Sequence, residues 1–254
     1  MKHIFTTLFI FTLLTSLFTL ESHAAPPPAP VPQTGQTLCY DSGGGAIPCA
    51  NTGQDGEFQN GLQWPTPRFF DNGDQTQTDN LTGLIWSKDA NPGAGLKNWQ
   101  MALDYIKTLN SSNYLGHNDW RLPNINELAS LSNKGLTNSE VWLEEQGFTS
   151  VQSYNYWSAT TGAYGTDYAW YVTMNNGRVY DSWKINIHYF YVWPVRSGSF
   201  GPLILSKTGQ TFCYDSGGGA IPCANTGQDG EFQNGLQWPT PRFFPTGIIT
   251  DPPF

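Results

Sequence analysis

The sequence predicts an α+β fold, with helices early in its central part and antiparallel strands late. Three observations carry this. Trp99, Ala102, Leu103, Ile106 and Leu109 recur at the spacing of one helix face, predicting a helix over 98–110. Asn124 followed by Glu127 has the form of a capping box at the start of a second helix. Asn175-Asn176-Gly177, flanked by aromatic and β-branched runs, is a strong hairpin signal.

From the N-terminus, residues 1–24 read as a secretory signal peptide. Lys2 and His3 form the basic start, Ile4 to Leu20 the apolar run, and Ser22-His23-Ala24 a small-x-small cleavage site. An uncleaved membrane anchor is the alternative, although the run is marginally short and interrupted by Thr and Ser. Residues 25–33 form a Pro-rich linker of polyproline character. Residues 34–70 recur at 208–244, and the single difference is Leu38 against Phe212. Each copy holds two cysteines, Cys39/Cys49 and Cys213/Cys223, around the same nine residues, Tyr-Asp-Ser-Gly-Gly-Gly-Ala-Ile-Pro. Three successive glycines between half-cystines suit a tight hairpin, and in an exported chain a disulfide within each loop is expected. Zinc is the rival, but two Cys with no adjacent His are too few ligands. Both copies are read as Gly/Pro-rich disulfide-loop leaders, with 198–207 a linker and 245–254 a tail. The second reads as the opening of a further module. With little core of its own, it is expected to close its hairpin and otherwise stay mobile.

Residues 71–197 are the stretch able to bury a substantial core. Asp71-Asn72-Gly73-Asp74 and Asn80-Leu81-Thr82-Gly83 mark turns between short strands. The helix begun at Asn124 is expected to stop at Gly135. A third short helix is expected over 139–146. Strands are expected over Tyr154–Thr161, Tyr168–Met174, Val179–Trp183 and Tyr189–Arg196.

In order along this stretch stand DNGDQTQTDNLTGLIW, WRLPNINEL, VQSYNYWSATT, DYAWYV and YVWPVR. Together they resemble the Lcl C-terminal domain family, named for the C-terminal domain of a Legionella collagen-like adhesin. The Trp120-Arg121-Leu122-Pro123-Asn124 run is also similar to C-type-lectin-like folds, among them the formylglycine-generating enzymes. The resemblance implies a compact C-type-lectin-like domain with two to three short helices and antiparallel strands, displaying a variable binding surface.

Catalytic chemistry finds few groups here. After the signal peptide only His117 and His188 remain, and residues 71–197 contain no Cys, so a Cys–His pair or a His-rich zinc site cannot be assembled within the domain. The chain departs from the formylglycine-generating enzymes on that point. Gly-x-Ser-x-Gly and phosphate-cradling loops are absent. Glu127, Glu140, Glu144 and Glu145 are read as helix-cap or solvated positions. No enzyme activity and no cofactor are expected. Asp71, Asp74 and Asp79 with Asn72 and Asn80 offer hard oxygen ligands for calcium, but ordinary turn chemistry explains them as well.

The aromatic excess is the best clue to binding. Between Tyr154 and Trp193 lie eight Tyr, four Trp and one Phe, and strand alternation sends about half outward. Tyr156, Trp157, Trp170, Trp193 and Val195 are assigned to packing. Tyr164, Asn175, Arg178, Tyr180, Trp183, Lys184, Asn186 and His188 are the candidate ligand-binding residues, since exposed Tyr and Trp give large contact area at little entropic cost. Arg121 and Arg196 are expected to be structural, bonding backbone carbonyls. The formal net charge of −8 excludes a nucleic-acid partner. The family's eponymous adhesin recognises sulfated glycosaminoglycans. Here eight Lys/Arg against twelve Asp/Glu leave 71–197 at net −4, short of the cations such polymers need. The expected function is a secreted, non-catalytic recognition module for a glycan or protein surface, placed outside the cell, at its surface or in the periplasm. The alternative is a structural module of a repeat-built envelope protein without a small ligand. No membrane insertion is expected after signal cleavage.

Overall fold

The computed structural model describes residues 31–185, 187–198 and 205–242. The signal-peptide reading, most of the Pro-rich linker and the 245–254 tail lie outside them.

In the first Cys-loop segment β1 (Cys39–Tyr40) pairs antiparallel with β2 (Ala46–Ile47). The Cys39–Cys49 disulfide closes the loop at a Cα–Cα distance of 5.1 Å. Gly44 takes φ +83° at the tip, and Asp41 Oδ1 accepts from the amides of Gly43 and Gly45. One helical turn follows, α1 (Asp55–Phe58), and Glu57 accepts from the Asn51 and Gly53 amides. Asp41 and Glu57 thus tie the loop to its own backbone.

The central domain begins with a meander of β3 (Phe69–Asp71), β4 (Thr76–Asp79) and β5 (Leu84–Ser87). Its first strand opens at Phe69, two residues before the expected boundary. Arg68 lies buried against Asp79 at 3.1 Å and fixes that start. Three helices come next. The first is α2 (Trp99–Ser111), where Asn98 Oδ1 accepts from Met101 N at 2.8 Å and the predicted face (Trp99, Ala102, Leu103, Ile106, Leu109) is buried. In α3 (Ile125–Ser130) Asn124 and Glu127 close the capping box in both directions. The third is α4 (Ser139–Glu145). The stop of α3 differs from expectation: the helix ends at Ser130, capped by Leu131, not at Gly135. Gly135 serves close approach instead, because a Cβ there would collide with the Gly35 carbonyl of the first Cys-loop segment.

A second antiparallel sheet holds β6 (Asn155–Thr161), β7 (Tyr168–Thr173) and β8 (Arg178–Trp183) in that order. Gly177 takes φ +64° in the hairpin turn between β7 and β8, where Thr173 pairs with Arg178. Of the strand expected over 189–196, only β9 (Val195–Ser197) joins a ladder, returning to pair with β5 and complete the order β3-β4-β5-β9. Phe190 and Tyr191 make single bridges to Lys97 and Tyr156. Pro194 has no N–H to donate, and Trp193 turns inward with its indole N–H on the Ser87 carbonyl at 3.0 Å.

Two apolar clusters fill the interior. One gathers Trp86, Trp193, Phe148, Leu128 and Leu143 between the four-stranded sheet and α3 and α4. The other packs α2 on β6 and β7 through Trp99, Trp157, Leu103 and Phe190. Tyr156, Trp157, Trp193 and Val195 are fully buried, as their packing assignment requires. Arg121 lies buried with a two-pronged pair to Glu127 at 2.6 and 2.8 Å, so its main partner is a carboxylate and the Leu122 carbonyl at 3.3 Å is secondary. Arg196 likewise pairs with Asp119, near the surface, at 2.7 and 3.0 Å. Glu127 is therefore both helix cap and buried counter-ion.

The second Cys-loop segment repeats the first, with β10 (Cys213–Tyr214), β11 (Ala220–Ile221), the Cys213–Cys223 disulfide and α5 (Asp229–Phe232). It is not held by its disulfide alone. Asp229 accepts from Thr160 at 2.8 Å, Gln210 from the Thr161 amide at 2.9 Å, and the Gly218 carbonyl from Thr166 at 2.8 Å. These contacts correct the expectation of a mobile segment: its surroundings come from the domain, not from itself.

Candidate functional site

At one end of the β6–β7–β8 sheet, the β6–β7 loop, the end of β8 and the segment following it converge. Tyr168 and Trp183 face each other across the ladder with ring centroids 5.5 Å apart. Tyr164, from the loop, stands 5.8 Å from Tyr168. His188 stands 6.0 Å from Trp183 and 6.1 Å from Phe190. Phe190 packs at 4.3 Å on Trp157 and at 4.6 Å on Tyr171, which also stands 6.2 Å from Trp157 and 6.0 Å from Tyr180. One unbroken series of rings thus runs from the surface into the core. Tyr164 is 74% exposed, Tyr180 46% and Trp183 40%, and exposed Ile185, Ile187 and Tyr189 follow β8. Asp181 beside Tyr164 pushes that phenol up to about 12, so it stays a neutral hydroxyl able to donate and accept. Rings packed on neighbouring rings present flat apolar faces and lose little side-chain freedom on binding.

The structure brings only part of the predicted set together. Tyr164, Trp183 and His188 form the ring surface, with Tyr180 joined through Tyr171. Asn175 and Arg178 sit at the hairpin tip, the other end of β7 and β8. Five residues of strand separate Tyr168 from Thr173, roughly 17 Å of rise. Asn186 lies outside the described residues. Lys184 requires correction. It is fully buried, with Nζ 2.8 Å from the Thr166 carbonyl and 4.2 Å from the Trp99 ring centroid. Burial drives its pKa from 10.5 down to about 7, against the opposing pull of Asp215 and Asp167. It is an internal strut between the domain and Tyr214 of the second Cys-loop segment, not a surface cation.

A cleft of about 710 Å³ opens where the second Cys-loop segment meets β6. Trp170, Phe212 and Trp238 line it, with Gln210 and Arg242, whose guanidinium lies 3.8 Å over Trp238. Trp170, assigned to packing from the sequence, is half-buried and forms part of this wall. The other wall escaped sequence reasoning because those residues belong to a segment expected to be mobile. The identity of 208–244 with 34–70 was the one available signal that this segment is a preformed unit.

The calcium candidates are engaged in turns and ion pairs. Asp79 is buried on Arg68 and accepts from the Leu81 amide. Asp71 pairs with Lys88 at 2.5 Å, and Asp74 accepts from the Thr76 amide at 3.0 Å. Asn72 bonds Thr76 and Thr78, and Asn80 the Pro67 carbonyl. Among the described residues no three His, Cys, Asp or Glu side chains stand close enough to share a metal ion. Among them, too, no helix is long and apolar enough to cross a membrane.

A search of curated proteins finds no match to the chain. The family model described as the Lcl C-terminal domain matches residues 75–196, from β4 to β9.

Proposed function

Residues 75–196 form an Lcl C-terminal domain, and on that premise we propose that the protein is an exported, non-catalytic recognition module. Its ring surface of Tyr164, Trp183 and His188 stacks on a ligand, a neutral glycan or the surface of a partner protein. The domain carries this surface as a C-type-lectin-like scaffold does, at the end of a sheet and on the segments that join it. The observation behind this reading is the ring series itself, in which exposed Tyr164 and Trp183 are braced by rings that continue into the core. Two intact disulfides support an oxidising destination.

The charge distribution favours a neutral ligand. Lys184 is internal and Arg178 stands at the far end of β8, so His188 is left as the sole predicted basic group on the ring surface. Sulfated polymers are held chiefly by several cations acting together. The test is a glycan array at moderate salt with wild-type protein and Trp183→Ala. Loss of a stacking Trp is expected to weaken binding about tenfold or more. Equal binding by the variant, or binding of wild type to no glycan, would sink the stacking proposal. The alternative reading, a structural module of a repeat-built envelope protein, draws support from the docking of the second Cys-loop segment on the domain.

A further inference from the structure

The two Cys-loop segments have one internal structure and two different surroundings. Both close a disulfide at a Cα–Cα distance of 5.1 Å. In both, a Gln clamps the Tyr after the first Cys (Gln54 on Tyr40, Gln228 on Tyr214). In both, a Trp indole donates to the backbone 31 residues earlier, Trp64 to Gln33 and Trp238 to Lys207. The unit is therefore preformed, and what surrounds it does not alter it.

The second segment fits a polar cradle on the central domain. Ile125 N donates to Thr160 Oγ1 at 3.0 Å, and Thr160 Oγ1 donates to Asp229, which also accepts from Thr208 at 2.6 Å. Asn124 donates to the Asn234 carbonyl at 3.1 Å, and Lys184 lies against Tyr214. Asp229 is 2% exposed. Among the described residues the corresponding groups of the first segment bond within their own segment or face solvent. The Asp55 carboxylate accepts from Thr34, Gln36 turns back to the Leu38 carbonyl, and Tyr40, Gly44 and Asn60 are exposed. The first segment touches the domain through a different set of contacts, with Trp64 against Trp142 at 5.5 Å and the Thr34 carbonyl on Lys134 N.

We infer that the cradle of Thr160, Thr161, Thr166, Asn124 and Lys184 is a docking site for this Cys-loop unit, and that the first segment of one molecule carries a second plug, fitted to the cradle of another copy of this chain. The groups within 208–244 that seat the second segment are all present in the first, since 34–70 and 208–244 differ only at Leu38 and Phe212. The Ser206 carbonyl that accepts from Asn126 at 2.9 Å lies just before the repeat, where Pro32 has the matching carbonyl. Phe212 is exposed and lines the cleft, so Leu38 in its place shortens one wall without touching the polar contacts. Within one molecule the tethered second segment competes at high effective concentration and holds the cradle. Once it is displaced, the first segment of a neighbour takes the place, giving head-to-tail or reciprocal pairing.

The test uses the full-length chain and light scattering on a sizing column. Wild type is expected to run as a monomer at micromolar concentration. Asp229→Arg, which evicts the second segment, is expected to at least double the apparent mass with increasing concentration. Adding Asp55→Arg, which disables the remaining plug, is expected to restore the monomer. Asp229→Ala, a milder change, keeps the test valid if the Arg variant misfolds, with near-ultraviolet circular dichroism reporting on the Trp-rich core. Monomeric Asp229 variants with an intact core would overturn the inference, as would association that persists when Asp55 is also changed.

Discussion

Lys184 offers the sharpest test of the interior, because a buried lysine writes itself into the pH dependence of stability. Its Nζ donates to the Thr166 carbonyl at 2.8 Å and lies 4.2 Å from the Trp99 ring, and the side chain has no solvent exposure. Unfolded, it titrates near 10.5; folded, burial lowers this to about 7. Below 7 the lysine is charged in both states and the burial penalty is present in full. Between 7 and 10.5 the unfolded chain binds more protons than the folded one, so stability rises with pH. At ~1.4 kcal/mol per pH unit the whole gap is worth at most about 5 kcal/mol, and the part between pH 7 and 9 roughly 2 kcal/mol. The cation–π contact with Trp99 favours the charged form and trims these figures. Urea titrations of wild type and Lys184→Met at pH 7, 8 and 9 measure the effect. Wild type should gain stability over this range relative to the variant, which lacks the titrating group and fills a similar volume. The buried tyrosines, pushed above their ordinary value, act only at higher pH. Parallel curves for the two proteins would refute a buried, depressed Lys184.

Other expectations follow from the same contacts. Arg121→Met leaves Glu127 buried without its counter-ion and should cost about 3–5 kcal/mol in denaturant unfolding, whereas an exposed-pair variant, Lys107→Met, should cost under about 1 kcal/mol. Reducing the two disulfides should strip hydrogen-exchange protection from 39–58 and 213–232 while leaving α2 and β6–β8 protected, because the central domain contains no cysteine. Because Asp71, Asp74 and Asp79 are satisfied by Lys88, Thr76 and Arg68, chelator should leave the melting temperature unchanged. A drop of several degrees on chelation would show that a cation holds these turns.

Much of the architecture could be read from local signals. The burial face of α2, the Asn124–Glu127 box and the Asn175-Asn176-Gly177 hairpin all depend on residues within a turn or two of each other, so the chain states them directly. The misreadings have tertiary causes. Gly135 looked like a helix stop, but its small size serves the approach of the Gly35 carbonyl, 100 residues earlier. The aromatic alternation of 189–196 resembled a strand, yet Trp193 and Phe190 are turned into the two cores and Pro194 interrupts the ladder. Lys184 sits between exposed Trp183 and exposed Ile185, and only Trp99, Thr166 and Tyr214 arriving from elsewhere bury it. The candidate site was half legible for the same reason. Tyr164, Trp183 and His188 stand out in the sequence as aromatic or polar residues of a strand-rich stretch, and the sheet brings them together. Asn175 and Arg178 satisfied the same criteria but lie at the other end of the hairpin.

The most direct test of the ring surface is a binding titration with a glycan selected from the array, comparing Tyr164→Ala, Trp183→Ala and Arg178→Ala. Tyr164→Ala and Trp183→Ala should each weaken binding about tenfold, while Arg178→Ala, roughly 17 Å of strand away, should bind as wild type does. Binding lost on Arg178→Ala but kept on Trp183→Ala would contradict recognition by stacking at this end of the sheet.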